Sequence, residues 1–210
     1  MTTVGTGRRS RARRGEGRKL KPQILAAAEQ LLLETGDEEA VSIRAVAKKV
    51  GVTPPSIYMH YADKNELIFE VCEKLFRELD ELFEAAAAGS DDPLESLMLR
   101  GKAYVQFGLE HPEHYRIMFM NRPGSTPDRY KGGVEMGDGA FVHLVEAVAR
   151  CIEAGSLPPQ DPLTAAIALW SSAHGITSLL VAKPQFPWPD DLEALVEQMC
   201  RTTVQGLAHA

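Results

Sequence analysis

Ser42-Ile-Arg-Ala-Val-Ala-Lys-Lys-Val-Gly-Val-Thr-Pro-Pro-Ser-Ile-Tyr-Met-His-Tyr61 is the stretch that decides the fold. Ser42 is suited to cap a helix, because its hydroxyl accepts from an orphan N–H of the first turn. Ile43, Val46, Ala47 and Val50 recur at i, i+3, i+4 and i+7, an apolar stripe on one face of a short helix. Gly51 stands where that helix needs a left-handed residue to stop it. Thr53 is placed to cap a second helix, with Pro54 at the first position, where a missing N–H costs little. Two helices of about two turns joined through a glycine turn predict a helix-turn-helix. The second helix carries Thr53, Ser56, Tyr58, His60 and Tyr61 around a single inward Ile57, with Lys64 just beyond. Hydroxyls, phenols and a cation contact phosphates and base edges, whereas an ordinary core hairpin concentrates apolar side chains.

Working outward from this motif, Pro22 is expected to open a helix that runs to about Thr35 and ends at Gly36, with Ile24, Ala28, Leu31 and Leu32 as its buried stripe. It would pack on the pair to complete a three-helix head. Residues 1–18 carry Arg8, Arg9, Arg11, Arg13, Arg14 and Arg18 with almost nothing apolar, and predict a disordered basic arm. Such an arm can follow phosphates or enter a minor groove, and a solvated tail is the alternative. Asp37-Glu38-Glu39 reads as a solvated loop. Asp63 can cap a long helix from about Lys64 to Ala88, broken at Gly89-Ser-Asp-Asp-Pro93.

Further helices are predicted over about 93–110, from Met136 or Gly137 to Gly155, over 162–182 and over 190–207. Between the first two lie the Pro-interrupted segment His111–Met120 and a loop at Asn121–Pro127. No strand run and no repeat stands out. The chain therefore reads as all-α with about nine helices: an arm (1–18), a helix-turn-helix DNA-binding head (19–65), and a larger helical domain (66–210), to which the pocket and interface readings below assign effector binding and dimerisation.

Charge divides along the same line. Residues 1–65 hold 12 Lys+Arg against 7 Asp+Glu, while residues 66–210 hold 11 against 22. The basic part coincides with the proposed reading head, where counterion release would occur. Cys72, Cys151 and Cys200 are far apart and without CxxC spacing, which argues for reduced thiols and a cytoplasmic setting. No run of about 18 apolar residues is evident, so no membrane span is expected. Nucleophile elbow, P-loop and dinucleotide fingerprints are missing, so an enzyme is disfavoured. His111-Pro-Glu-His114 could suggest metal ligands, but the proline opposes a helix presenting both imidazoles on one face, and a helix boundary with polar caps is the preferred reading. No metal or cofactor is called.

Val-Thr-Pro-Pro-Ser-Ile-Tyr-Met-His-Tyr-Ala-Asp-Lys-Asn-Glu-Leu, residues 52–67, resembles the recognition-helix signature of the TetR/AcrR family of transcriptional regulators. Residues 42–47 match the first helix of its motif, and the likeness covers about 19–67. Trp170-Ser-Ser-Ala-His-Gly175, preceded by His111–Phe119, resembles the Trp-His-Gly subgroup of the family's C-terminal domains. The resemblance implies a homodimeric repressor that binds a palindromic operator and responds to a small molecule. Residue by residue, it implies phosphate contacts from Ser42, Thr53, Tyr58, His60, Tyr61 and Lys64. It implies contacts to base edges or thymine methyls from Arg44, Pro54, Pro55 and Ser56. Pro55 departs from the family, where Gly or Ala is common at that place.

Tyr104, Phe107, Met118, Phe119, Phe141, Trp170 and His174 are candidates for the wall of a pocket for a mostly apolar effector, with plain core packing the alternative for each. Trp170 and His174, four apart, share a helix face. Residues 162–182 are apolar around most of the circumference and so demand cover. A partner subunit is one solution, with Ala166, Ala173 and Gly175 allowing close approach and Leu192, Leu195, Val196, Met199 and Leu207 contributing from the last helix. An activator, a ligand-free interaction module and an enzyme with an unrecognised site are the rival functions.

Overall fold

The computed structural model describes residues 17–36, 38–120 and 138–208. The chain divides into two compact units, residues 1–68 and 69–210. Nine α-helices and no strand occur among the described residues. The expected loop at 121–127, the start of a helix at Met136 or Gly137 and most of the basic arm lie outside them.

In the first unit, α1 (Gly17–Thr35), α2 (Ile43–Val50) and α3 (Pro54–Tyr58) pack in sequence. Helix α1 begins five residues before Pro22, which lies inside it, rather than at Pro22 as its sequence suggests. A proline there removes one N–H bond, while Lys19, Leu20 and Lys21 ahead of it favour helix. The Lys21 ammonium, 5.4 Å from the Tyr61 ring centroid, adds a tertiary contact to this extra turn. Residues Glu38–Ala40 form a 3₁₀ turn, not a plain loop. Ile24, Ala28 and Leu32 of α1, Val46 of α2 and Ile57 of α3 are buried together with Val41 of the α1–α2 connection, and α2 and α3 are too short to be stable without that packing.

Helix α4 (Lys64–Ala87) begins with a reciprocal cap: the Asp63 carboxylate accepts from the Glu66 N–H at 2.8 Å, and the Glu66 carboxylate reaches back to the Ala62 N–H.

The second unit continues with α5 (Pro93–Glu110), α6 (Pro112–Tyr115) running into a π-helical turn (Arg116–Met120), α7 (Asp138–Glu153), α8 (Pro162–Ala182) and α9 (Leu192–Ala208). Asp92 and Asp161 cap α5 and α8, each carboxylate accepting from N–H groups of the following turn. Helix α8 lies at the centre, packed on α5, α7 and α9. One cluster joins Leu97, Val148, Cys151, Leu157, Ala166 and Val204; another joins Val105, Ile176, Leu180 and Val196. Helix α8 is also the one described helix long and apolar enough to cross a membrane by length and composition. Its uncharged hydroxyls and His174 interrupt the apolar run read from the sequence without making the helix polar.

This packing revises two expectations about the last helices. Ala166 is fully buried within the chain, so it offers no close approach to a partner. Leu192, Leu195, Val196 and Met199 pack into the second cluster, and Leu207 into the first, so the apolar side of α9 faces inward. What remains exposed and apolar on α8 is Leu163, Ile167, Trp170 and Leu179.

Candidate nucleic-acid interface and ligand cavity

In the head, the α2–α3 turn is fixed by three devices. The Ser42 hydroxyl accepts from Ala45 N–H at 3.1 Å. Gly51 adopts φ 81°, and its N–H closes on Ala47 O at 2.9 Å. That left-handed conformation is where a side chain would be strained. Thr53 occupies the N-cap of α3, yet its hydroxyl caps no backbone group and instead lies 3.1 Å from Ser56 Oγ. The reason is the Pro54–Pro55 pair: two successive prolines have no N–H to offer, and the next one, Ser56 N–H, already bonds Thr53 O at 2.9 Å.

The candidate contact residues separate by exposure. Ser42, Arg44, Thr53, Pro55 and Tyr58 are exposed, and Pro54, Ser56, His60 and Lys64 are half-buried. Tyr58 is 56% exposed, whereas Tyr61 is 1% exposed. Tyr61, four residues beyond Ile57, turns into the same core and is a packing residue, out of reach of a phosphate. The Lys64 ammonium donates to Glu38 O at 3.0 Å and lies 3.6 Å from the Glu39 carboxylate. Met59, beside Tyr58, is 84% exposed and adds an apolar side chain to this surface.

The second unit carries a partly open cavity of about 630 Å³ lined by α4, α5, the π-helical turn, α7, α8 and α9. Tyr104, Met118, Phe119, Phe141, Trp170 and His174 line it as expected from the sequence; Phe107 does not. Phe107 points away into packing with its ring 5.5 Å from His111. Phe76, Leu79 and Phe83 of α4, Arg100 of α5, and Ser172 and Thr203 of α8 and α9 are also part of the wall. These were hidden in the sequence because cavity residues on four helices share no spacing.

The polar pole of the cavity is His174. Its Nδ1 lies 2.9 Å from the Tyr104 hydroxyl and 2.8 Å from the Tyr115 hydroxyl, and Tyr115 also donates to His174 O at 3.3 Å. Burial drives the Tyr104 phenol well above its ordinary range and pushes Tyr115 up to about 12, so both keep their protons. Burial also lowers the His174 pKa, favouring neutral imidazole. Aromatic rings surround it, with Phe119 at 5.3 Å and Trp170 at 5.7 Å between centroids.

At another part of the wall, Arg100 holds Glu84 through both terminal nitrogens at 2.5 and 3.0 Å. His143 Nδ1 bonds the Asp80 carboxylate at 2.9 Å and lies 3.9 Å from Glu84. Asp80, Glu84 and His143 have the donor types of a metal site and lie within 4.8 Å of one another. Each is, however, already engaged in this ion-pair chain, and Arg100 supplies the compensating cation. His111 and His114 sit at the α5–α6 boundary with rings edge-to-face at 5.5 Å, and the His111 side chain caps neither helix. Cys72, Cys151 and Cys200 are free thiols.

Comparison with known proteins adds likenesses in both sequence and structure. Residues 24–71 match the family described as bacterial regulatory proteins, tetR family, and residues 97–203 match the tetracyclin repressor-like C-terminal domain. The chain is 29% identical to the uncharacterized HTH-type transcriptional regulator YobS of Bacillus subtilis (strain 168), over 83% of this chain and 87% of that one. It superposes on a protein with unknown function from Rhodococcus sp. RHA1 with TM-score 0.77 and 26% identity, covering 90% and 95% of the two chains. A transcriptional regulator FadR from Bacillus subtilis, solved in complex with stearoyl-CoA, matches with TM-score 0.72 and 18% identity, covering 88% and 98%.

Proposed function

Because the chain belongs to the tetR family of bacterial regulatory proteins, we propose that this DNA-binding transcriptional regulator is a ligand-responsive repressor acting on a palindromic operator as a homodimer. The observation that carries the reading is the short α2–Gly51–α3 unit, whose exposed face bears Arg44, Thr53, Pro55 and Tyr58 over a fully buried Ile57. On this reading Ser42, Thr53, Tyr58, His60 and Lys64 hold phosphates, and Arg44, Pro54, Pro55 and Ser56 meet base edges or thymine methyls. Residues 19–65 carry DNA reading and residues 66–210 carry effector binding and dimerisation.

The likeness of Trp170, His174 and Gly175 to the Trp-His-Gly subgroup supports placing the effector beside them, in the largely apolar cavity. An effector shifts the DNA equilibrium only by its differential affinity for the two states; a tenfold loss of DNA affinity needs about 1.4 kcal/mol of coupling. The reading is tested by footprinting the full chain on the DNA upstream of its own gene, with a salt titration of the affinity. A protected, two-fold symmetric site whose affinity falls steeply with salt is expected. Binding to that site no tighter than to random duplex would refute the reading.

A further inference from the structure

Resting on the proposal that α3 meets base edges, we infer that Met59 is a further specificity residue of the head: with Pro55 it forms an apolar ridge that reads the C5-methyl groups of thymines.

Met59 is held outward from both sides. Ile57 is fully buried and Tyr61 is 1% exposed, so the side chains two positions before and after Met59 are fixed in the head core. The backbone between them is closed, with the His60 and Tyr61 N–H groups donating to Ile57 O at 2.8 and 3.1 Å. Met59 keeps right-handed helical angles, φ −72° and ψ −16°, and so continues the turn of α3. At about 100° per residue it stands about 200° from Ile57, and Pro55, four residues earlier, lies along the same outward line. Pro55 is exposed, and Met59 is 84% exposed. A single exposed apolar side chain needs no function. Two in line on the outermost ridge of a helix that meets base edges make an apolar reading surface.

The polar groups of α3 leave that ridge its role. Pro54-Pro-Ser-Ile-Tyr58 contains no Arg, Lys, Asn or Gln, the residues that pair bidentately with guanine or adenine in the major groove. The Thr53 and Ser56 hydroxyls lie 3.1 Å apart and spend a donor on each other. The two prolines have no N–H to give. Helix α3 thus has little with which to tell bases apart by donors and acceptors, and pairing with guanine falls to α2, which carries Arg44. What an apolar ridge can distinguish in the major groove is the thymine methyl, which cytosine lacks. The thioether chain of Met59 is unbranched and polarizable, suited to closing over such a group, while the rigid ring of Pro55 presents a fixed apolar edge beside it.

The test uses the full chain and a duplex recovered by selection from a random library. The recovered duplex is resynthesised with one thymine at a time replaced by deoxyuridine, which removes the methyl and leaves every hydrogen-bonding group of the base in place. At one or two positions in each half-site, uracil is expected to weaken binding about three- to fivefold, the worth of one buried methyl. Met59→Ala should weaken binding of the thymine duplex by a similar factor with an unchanged salt slope, and uracil at one of those positions should then cost nothing further. Met59→Leu, which keeps an apolar side chain there, should keep the uracil effect. If uracil is neutral everywhere, or costs as much in Met59→Ala as in wild type at every position, the inference falls while sequence-specific binding stands. Unaltered affinity of Met59→Ala for the thymine duplex would give the side chain to some other contact and overturn it as well. A selection that recovers no preferred duplex rejects the operator reading itself, and the inference with it.

Discussion

Tyr58 and Tyr61 are three residues apart and chemically identical, yet one is exposed and the other is core. Exposure leaves the Tyr58 hydroxyl available to a phosphate oxygen, so Tyr58→Phe is expected to weaken operator and random duplex binding alike by about 0.5–1.5 kcal/mol, read by fluorescence anisotropy. Tyr61→Phe should leave DNA affinity within twofold and act on the melting temperature instead. The opposite pattern would place the phosphate contact on Tyr61. Lys64 now bonds Glu38 O and pairs with Glu39, so contact with DNA requires an exchange of partners. Lys64→Ala should reduce the salt slope of binding by about one unit. An unchanged slope would show that Lys64 stays with the turn it bonds.

At the scale of elements, α5 and α8 are set by a contact that only glycine allows. A Cβ on Gly108 would come within 2.1 Å of Thr177 Cγ2, and Thr177 is fully buried with its hydroxyl donating to Ala173 O at 2.7 Å. Gly108→Ala should therefore destabilise the chain by about 1–3 kcal/mol in chemical denaturation. Thr177→Ser removes the offending methyl while keeping the hydroxyl, and the double variant should recover much of the loss. No recovery would mean that the Tyr115 ring, at 3.3 Å from the same point, sets the limit.

The α4–α7 link is electrostatic. Asp80 raises the His143 pKa above its ordinary 6.5. A raised folded-state value means that the stabilisation is full below the unfolded pKa and is lost as pH rises through the folded one. The melting temperature of His143→Gln should thus lie furthest below wild type near about pH 5–6 and converge with it by about pH 8. The difference should be small, because the pair is partly exposed and screened. A gap that widens with pH would contradict the pairing.

At the scale of the whole molecule, the family's dimeric habit meets a helix with an uncovered apolar side. Leu163, Ile167 and Leu179 of α8 are each about half exposed, while α9 turns Glu193, Gln198, Arg201, Thr202 and Gln205 outward. A symmetric interface built on α8 would bury the first set and leave the α9 polar groups to a rim. Leu163→Glu combined with Leu179→Glu is expected to yield monomers in sedimentation and to lower operator affinity by at least tenfold. Ala173→Glu, by contrast, would strike the cavity wall, since Ala173 lines it. A double variant that remains dimeric would move the interface off α8.

Local patterns in the chain were sufficient for everything that depends on a few consecutive residues. Ser42, Gly51 and Asp63 encode their caps and stops through backbone groups within four positions. Apolar spacing gave the helices of the second unit to within a few residues. Ile43, Val46 and Ala47 all face the head core, as their period requires. The pairing of Trp170 with His174 on one wall followed from the 3.6-residue turn. What the tertiary structure alone decided is which side of an ambiguous residue is wet. Tyr61 and Phe107 carry the side chains of a contact residue and a pocket residue, but packing turned both inward. The apolar residues of α9 could have covered a partner, and α5 and α8 claimed them first. The Arg100–Glu84–His143–Asp80 chain and the convergence of Tyr104 and Tyr115 on His174 join residues up to 70 positions apart. No sequence period records such meetings, because they are fixed by how helices cross and not by how each one repeats.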